Sequence, residues 1–248
     1  MLNLLENGVI RSIKKIQGDI KDGFSAAIPI CLGYLPLGFA CGVLAQKANL
    51  SIFEIAGMST IIFAGSSQFI AVSMIVANSS IEAIIIATFI VNFRHFLMSS
   101  VLAKFLKSKK KSFLFIFSHG VTDESFAINY HKFTEGTWDP QKAIIVNIIA
   151  FASWNFGNII GGYSGAVFPI NNEVASYTLT AMFIGLLVLN LKNKIFIIVG
   201  IATGVASIYL SLILKNSFYI VITAILGASL GYFIENKVIR KREKNHGE

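Results

Sequence analysis

Two charged pairs, Arg94-His95 and Asp123-Glu124, lie inside stretches of this chain that are otherwise apolar enough to dissolve in lipid. A charged side chain at the middle of a bilayer costs about 2.5–3.5 kcal/mol, whereas each Leu, Ile or Phe contributes only about 0.3–0.6 kcal/mol of stabilisation. Such residues persist where they pair with one another or face water or a ligand. The sequence therefore predicts a membrane protein that moves or processes a polar compound.

The composition supports a membrane protein. Of the 248 residues, 54% are hydrophobic and 14% are charged, whereas a soluble domain has about 25% charged residues. Apolar runs of the length that crosses the hydrocarbon core, about 20 residues, recur from Phe24 to Glu235. The net charge of +8 does not indicate nucleic-acid binding, because most Lys and Arg lie in short blocks between apolar runs. A soluble domain is excluded.

The chain is expected to form one all-α transmembrane domain, residues 24–236, with two flanking regions. Residues 1–23 have the pattern of a basic amphipathic helix on the cytoplasmic leaflet, or of an ordinary basic N-terminus. Residues 237–248 are a basic tail, expected to be disordered and cytoplasmic. Eight apolar segments can be drawn, at residues 24–45, 52–77, 82–103, 112–131, 143–168, 174–191, 195–214 and 217–235.

The distribution of Lys and Arg favours six full crossings and two broken, re-entrant segments. Eight full crossings would put 13 of these residues inside and 7 outside, against the positive-inside rule. If the segments at 52–77 and 174–191 instead enter and return, the count is 16 inside and 4 outside, with Arg94 in the membrane. The halves 24–131 and 143–236 would then form an inverted repeat, as in many secondary transporters. Eight full spans remain the alternative.

The clearest break is Gly65-Ser66-Ser67-Gln68, because a Gly and three polar residues interrupt an apolar segment. Non-helical backbone at membrane depth occurs where it is buried in protein or lines a cavity. Free N–H groups at the start of the following half-helix would suit a carboxylate. The alternative is that these side chains only join helices by hydrogen bonds.

Prolines in the first segment predict a break in its helix, and glycines in the first and fifth segments predict close packing between helices. Pro29 and Pro36 each remove a backbone donor, which favours a discontinuous first helix. Small residues four apart let two helices approach closely, and they occur at Gly38, Gly42, Gly157 and Gly161.

The polar residues of the third and fourth segments could form one network. Arg94 keeps its charge, so it must pair with an acid of the fourth segment or with an anionic ligand. In a continuous helix His119 and Asp123 would share a face, and with Glu124 they could exchange protons in a partly dry site. Asn92 and His95 share a face three residues apart.

Other chemistries are less well supported. The sequence has no second His or Cys at the spacing of a metal site and no recognisable nucleophile and base, so neither a metal, another cofactor nor an enzyme activity is expected. Trp154 could mirror the polar break in the second half, or be an ordinary ring near the interface.

At these positions the sequence resembles the AzlC family, the large subunits of branched-chain amino acid exporters, also called azaleucine-resistance proteins. The resemblance extends over about residues 22–211, and Trp154, Gly157 and Gly161-Gly162 extend it into the second half. Its motifs are Pro29, Gly33, the run 35–40, and residues 63–69, 91–95 and 122–127.

The resemblance implies export of branched-chain amino acids across the cytoplasmic membrane, with a small hydrophobic membrane subunit of the AzlD type as partner. On the residues alone, the break at 65–68 would supply donors for the substrate carboxylate, together with Asn92 and Trp154, and Asp123 or Glu124 an acceptor for its ammonium group. Proton exchange through His119 and the acids would drive export, with both termini cytoplasmic. The alternatives are a passive channel or a permease for another small polar solute, and less plausibly an intramembrane enzyme or an architectural subunit.

Overall fold

The structure, a computed structural model, describes residues 2–107, 109–167, 194–214 and 218–245, and the single residues Tyr177, Ile184 and Val188. Regular structure in these residues is entirely helical, so the predicted all-α class is confirmed. The helices are α1 (Leu2–Lys47), α2 (Ile52–Ile62), α3 (Gly65–Val76), α4 (Ile81–Leu102), a 3-10 turn (Ala103–Phe105), α5 (Lys111–His119), α6 (Asp123–Thr134), α7 (Pro140–Val167), α8 (Lys194–Ile213) and α9 (Phe218–Asn245).

Four of the described helical stretches are long and apolar enough to cross a membrane. They are Lys14–Lys47, Ile81–Phe105, Pro140–Val167 and Ile195–Ile213. Shorter apolar helices cover Ile52–Ile62, Gly65–Val76 and Ile222–Ile234. The protein is therefore a helical membrane bundle in which long helices and half-length helices are combined.

The chain forms two compact units. The first contains Met1–Phe69 and Val91–Pro169, and the second Ile70–Ile90 and Ile170–Glu248. In the second unit, Met74 of α3 packs against Ala83 and Ala87 of α4. In the same unit Gly227 of α9 lies against Thr203 of α8, so these two helices also pack closely. The predicted functional residues all lie in the first unit.

The first helix differs from its prediction because it is continuous. Helix α1 runs unbroken for 46 residues and includes both Pro29 and Pro36. The predicted discontinuity at these prolines is therefore wrong, and residues 2–23 continue into the first apolar segment as one helix. Each proline removes only its own N–H donor, which frees the carbonyls of Ser25 and Leu32, and the helix continues on the bonds of its neighbours.

The core of the first unit is the packing of α1 against α7 through glycines. A Cβ at Gly42 would collide with the carbonyl oxygen of Asn158, and one at Gly161 with that of Phe39. Gly38 and Gly157 would place a Cβ 2.8 Å from the carbonyls of Trp154 and Leu35, respectively. At these four glycines, which the sequence predicts to be packing positions, the backbones of α1 and α7 are therefore in contact.

Helices α1 and α7 run parallel. Gly23 lies against Ile145, Gly38 against Trp154, and Gln46 against Gly165, so residue numbers rise together along both helices. The predicted inverted repeat needs these two segments to be antiparallel, since they would be its equivalent first members. The structure thus differs from the predicted inverted repeat. The difference arises because the fourth segment is not a single crossing helix.

The predicted break in the second segment is confirmed, and a second break occurs where none was predicted. Helix α2 ends at Ile62 and α3 starts at Gly65. The fourth segment, predicted to be one crossing helix, is divided into α5 and α6 by residues 120–122. Thr122 ends the continuous helix because its side chain and that of Ser125 form a capping box, which starts a new helix there.

At the C-terminus the helix extends further than predicted. Helix α9 continues to Asn245, so most of the tail expected to be disordered is helical. Its Lys, Arg and Glu residues are good helix formers, and no Gly or Pro follows Gly231 before Gly247. Except for Tyr177, Ile184 and Val188, the segment 174–191, predicted to be broken, lies outside the described residues.

Candidate functional site

The two breaks meet half-way along α7. His119, the last residue of α5, has its Nε2 atom 2.9 Å from the carbonyl oxygen of Thr60 in α2. The buried Phe63 ring lies 6.3 Å from the His119 ring and 4.9 Å from that of Phe151 in α7. The ends of two half-helices, α2 and α5, are therefore in direct contact. Non-helical backbone within a membrane must be surrounded by protein or line a cavity, and here each end is covered by the other.

Phe63 adopts a backbone conformation that is rare for its type. Its φ of 40° and ψ of 51° lie in the left-handed region. Such residues cost about 1–3 kcal/mol and persist only when their surroundings fix them. Here the side chain is held between His119 and Phe151 and is almost fully buried. The turn ends α2 sharply and reorients the chain for α3.

Arg94 of α4 joins the tips of α3 and α6. Its Nη1 atom is 2.9 Å from Oδ2 of Asp123, and its Nη2 donates to the Ser66 hydroxyl at 2.6 Å. The pairing expected between Arg94 and an acid of the fourth segment is thus present. The side chains of Arg94 and Asp123 are 42% and 50% exposed, so the pair borders open space rather than a closed core.

The start of α3 has no side-chain cap of the usual kind. The first N–H groups of any helix lack intrahelical acceptors, and α2 and α6 satisfy one of theirs through capping boxes at Ser51 and Thr122. Before α3 stands Ala64, whose methyl group cannot accept a hydrogen bond. The hydroxyls of its first turn are used elsewhere: Ser66 accepts from Arg94 and Ser67 donates to Asn92 at 2.5 Å.

Gln68 is held by Trp154, with one donor left over. The indole Nε1 of Trp154 donates to Oε1 of Gln68 at 2.7 Å, which fixes the orientation of the amide. Its Nε2 atom is fully buried and has no hydrogen-bond partner among the described residues. The same holds for Nε of Arg94 within the described part of the chain. Unsatisfied buried donors cost about 1–3 kcal/mol each, so this cluster favours an acceptor that is supplied from outside the chain.

The tip of α6 is tied to α1 through Tyr34. The Tyr34 hydroxyl is hydrogen-bonded to the Thr122 hydroxyl at 2.8 Å and to the carboxylate of Glu124. Its ring packs edge-on against Trp154, with centroids 5.3 Å apart. Tyr34, Trp154 and Gln68 therefore link both half-helix tips through α1 and α7.

Most of the predicted site residues lie together in the structure, but not all of them make the contacts that were predicted. It brings together Gly65, Ser66, Ser67, Gln68, Asn92, Arg94, Asp123, Glu124 and Trp154. His119 lies at the same level, but the predicted helical pairing of His119 with Asp123 is wrong, because one helix ends at His119 and the next begins at Asp123. His95 is half-buried beside Arg94 on α4.

Three contributors were not predicted as site residues: Tyr34, Thr60 and Thr122. Asn155, like Trp154, was expected only as a possible counterpart of the polar break in the second half. Thr60 donates to the Asn155 side chain at 2.9 Å, and its carbonyl holds His119. Only Thr122 had a usable signal, since Thr-x-x-Ser after Gly120 resembles the start of a helix. The described residues contain no group of three His, Cys, Asp or Glu side chains that could hold a metal ion.

Comparison with known families covers this same region. The family model described as AzlC protein matches residues 29–168, more than half of the chain. The chain belongs to the AzlC family. The match includes every residue of the two tips and their partners on α1, α4 and α7, whereas α8 and α9 lie beyond it.

Relatives of this AzlC-family protein are known from several microorganisms. It is 32% identical to the branched-chain amino acid transport protein AzlC of Bacillus subtilis, over 79% of this chain and 78% of that protein. It is 29% identical to the inner membrane protein YgaZ of Escherichia coli, over 70% and 74% of the two chains. An uncharacterized membrane protein of Archaeoglobus fulgidus is 29% identical over 85% and 93%. No solved structure matches significantly. These similarities identify a membrane protein of a transport family.

Proposed function

We propose that this protein is a secondary transporter subunit that exports branched-chain and other small neutral aliphatic amino acids across the cytoplasmic membrane. Export would be coupled to protons and would involve a small hydrophobic membrane subunit of the AzlD type, with both termini cytoplasmic. The partner and the direction rest on family resemblance. The observation that carries the substrate class is the start of α3, where Ala64 has no side chain that could cap the helix, together with the buried Nε2 of Gln68, which has no hydrogen-bond partner among the described residues.

A zwitterion with an aliphatic side chain fits the groups at this site. The N–H groups of the first turn of α3, which have no intrahelical acceptors, are together with Nε2 of Gln68 donors suited to a carboxylate. Asp123 and Glu124 offer acceptors for an ammonium group at the tip of α6, and the Asp123 side chain is half exposed. Apolar side chains that could pack against the aliphatic part of the substrate are those of Phe63, Phe69 and Trp154, which are nearly fully buried in the structure. Each part of the substrate thus has a complementary group nearby.

Export of amino acids from cells fed dipeptides tests the function, and Gln68→Glu tests the site. We expect cells that contain the protein and an AzlD-type subunit to release leucine, isoleucine, valine and methionine faster than empty cells. In Gln68→Glu the donor becomes an acceptor that repels the substrate carboxylate. Since a hydrogen bond to a charged group contributes about 1.5–3 kcal/mol, export should fall by about 10- to 100-fold.

Gln141→Glu is the matched control, because it makes the same change on the exposed start of α7. No difference between expressing and empty cells would overturn the exporter proposal. Wild-type export by Gln68→Glu, at equal protein level, would instead exclude this carboxylate site and leave the exporter proposal standing.

For coupling, Glu124 is the group whose contacts best suit a proton carrier. It combines an exposed side chain with a hydrogen bond to the buried Tyr34 hydroxyl. Glu124→Gln keeps an acceptor for Tyr34 but cannot bind or release a proton. We expect this variant to export at a rate independent of the proton gradient, whereas wild-type export increases with external acidity. Rates should be measured at external pH 6–8, roughly one unit on either side of neutrality. If the two profiles coincide, coupling through Glu124 is contradicted.

A further inference from the structure

The direction of each helix in the first unit can be read from its contacts along α7. Helices α1 and α7 are parallel and begin at the same end, where Lys142 Nζ is 2.6 Å from Asp22 Oδ2 and Lys15 Nζ is 3.5 Å from Asp139 Oδ2. Residues 139–142, which precede and begin α7, therefore lie at the level of the basic first part of α1. The charge pattern alone predicted these residues on opposite faces.

Helix α5 rises from this end toward the middle of α7. The carbonyl of Phe117 accepts a hydrogen bond from Asn147 at 3.0 Å, and two residues later the His119 ring lies 5.8 Å from that of Phe151. Increasing residue numbers in α5 thus correspond to increasing numbers in α7. The tip at residues 120–122 is at the level of Tyr34.

Helix α6 descends again to the same end. Glu124 is held at the level of Tyr34, while Asn129 is bonded to the side chain of Asn147 and the carbonyl of Ala143. At its last turn, Phe133 stacks on Phe105 with ring centroids 4.9 Å apart. Phe105 lies in the turn that follows α4, so the chain enters and leaves the α5–α6 pair at one level.

From these contacts we infer that α5 and α6 form a re-entrant hairpin, which enters the membrane from the face of the N-terminus and returns to it. Residues 104–111 and 132–142 then share one face, and α7 crosses in the same direction as α1. This assignment does not depend on the substrate or on the direction of transport.

The distribution of positive charge supports this assignment independently. Of the thirteen Lys and Arg residues in 1–167, eleven then lie on the face of the N-terminus, Lys47 lies on the other, and Arg94 lies between. A crossing fourth segment would move Lys132 and Lys142 to the face of Lys47. By the positive-inside rule the face with eleven charges is cytoplasmic. The body of the α5–α6 hairpin therefore lies between the cytoplasm and the site at the starts of α3 and α6.

Single cysteines labelled in intact cells with a membrane-impermeant maleimide test the inference. The background is Cys31→Ala with Cys41→Ala, which removes both native thiols. We expect Lys107→Cys and Thr137→Cys to be protected in intact cells and labelled after permeabilisation, whereas Asn49→Cys, in the α1–α2 connection, is labelled in both.

Each other pattern overturns the inference. Labelling of Thr137→Cys alone among the first two would show that residues 112–131 cross the membrane. Labelling of Lys107→Cys alone would show eight full crossings. Labelling of both in intact cells would refute their assignment to the cytoplasmic face. Because every variant must also be labelled after permeabilisation, a buried or misfolded site is recognised.

Discussion

Asp123→Asn is expected to reduce export at least tenfold, with a lower level of folded protein. The change leaves Arg94 without its carboxylate at the meeting point of the two half-helix tips. An unpaired charge at mid-bilayer costs up to about 2.5–3.5 kcal/mol, and the 42% exposure of the Arg94 side chain lowers that cost. A tenfold loss corresponds to only about 1.4 kcal/mol. Export from dipeptide-fed cells, normalised to membrane-inserted protein, measures the effect.

A double variant separates folding from transport. Arg94→Gln with Asp123→Asn removes both charges and keeps groups that can hydrogen-bond to Ser66 and to each other. We expect the double variant to recover the protein level that each single change loses, since no unpaired charge remains, but not the export. Wild-type export by the double variant would mean that the ion pair serves neither binding nor coupling.

Gly42→Ala and Gly161→Ala are expected to have the largest effects on stability. In each, the added methyl group would overlap a backbone carbonyl oxygen of the facing helix, Asn158 or Phe39. A backbone atom cannot rotate away as a side chain can, so α1 and α7 must separate. Overpacking typically costs about 1–3 kcal/mol and occasionally more. Thermal unfolding of the purified protein in detergent should show a clearly lower midpoint.

Gly33→Ala is the matched control on the same helix. A Cβ at Gly33 would meet no heavy atom of the described residues within 4 Å. Because Ala is about 1 kcal/mol more favourable than Gly inside a helix, this change should leave the unfolding midpoint unchanged or raise it. Equal destabilisation by Gly33→Ala and Gly42→Ala would show that something other than the contact of α1 with α7 determines the effect.

The sequence predicted the break at residues 63–69 but missed the one at 120–122, for a physical reason. Gly65 followed by three polar residues weakens a helix visibly. Gly120 and Thr122, in contrast, are single small residues in an apolar run, and hydropathy does not report a chain reversal. The reversal depends on the Thr122–Ser125 capping box and on Asn129 and Asn147, which bind each other across 18 residues.

The direction of α7 was mispredicted as a result of that missed reversal. The apolar run at residues 112–131 predicts a crossing helix, and the positive-inside rule then places Lys132 and Lys142 on the face opposite the N-terminus. Contacts between distant residues were also invisible: Gln68 and Trp154 are 86 residues apart, and Tyr34 and Glu124 are 90 apart. The polar and charged residues of the site could be predicted because such side chains are energetically unfavourable in lipid unless they have a function. Which of them contact each other depends on tertiary packing.

The glycine contact of α1 and α7 also limits how the protein can change shape. Packed elements move past each other by exchanging side-chain arrangements, and two backbones in contact have no side chains between them to rearrange. During a transport cycle this pair should therefore behave as a fixed frame. Motion is left to the half-helices, whose tips are joined to the frame by a few side-chain hydrogen bonds, among them those of Tyr34 to Thr122 and Glu124 and that of Trp154 to Gln68. Those bonds are short-range and replaceable, so they can act as the latches of the cycle.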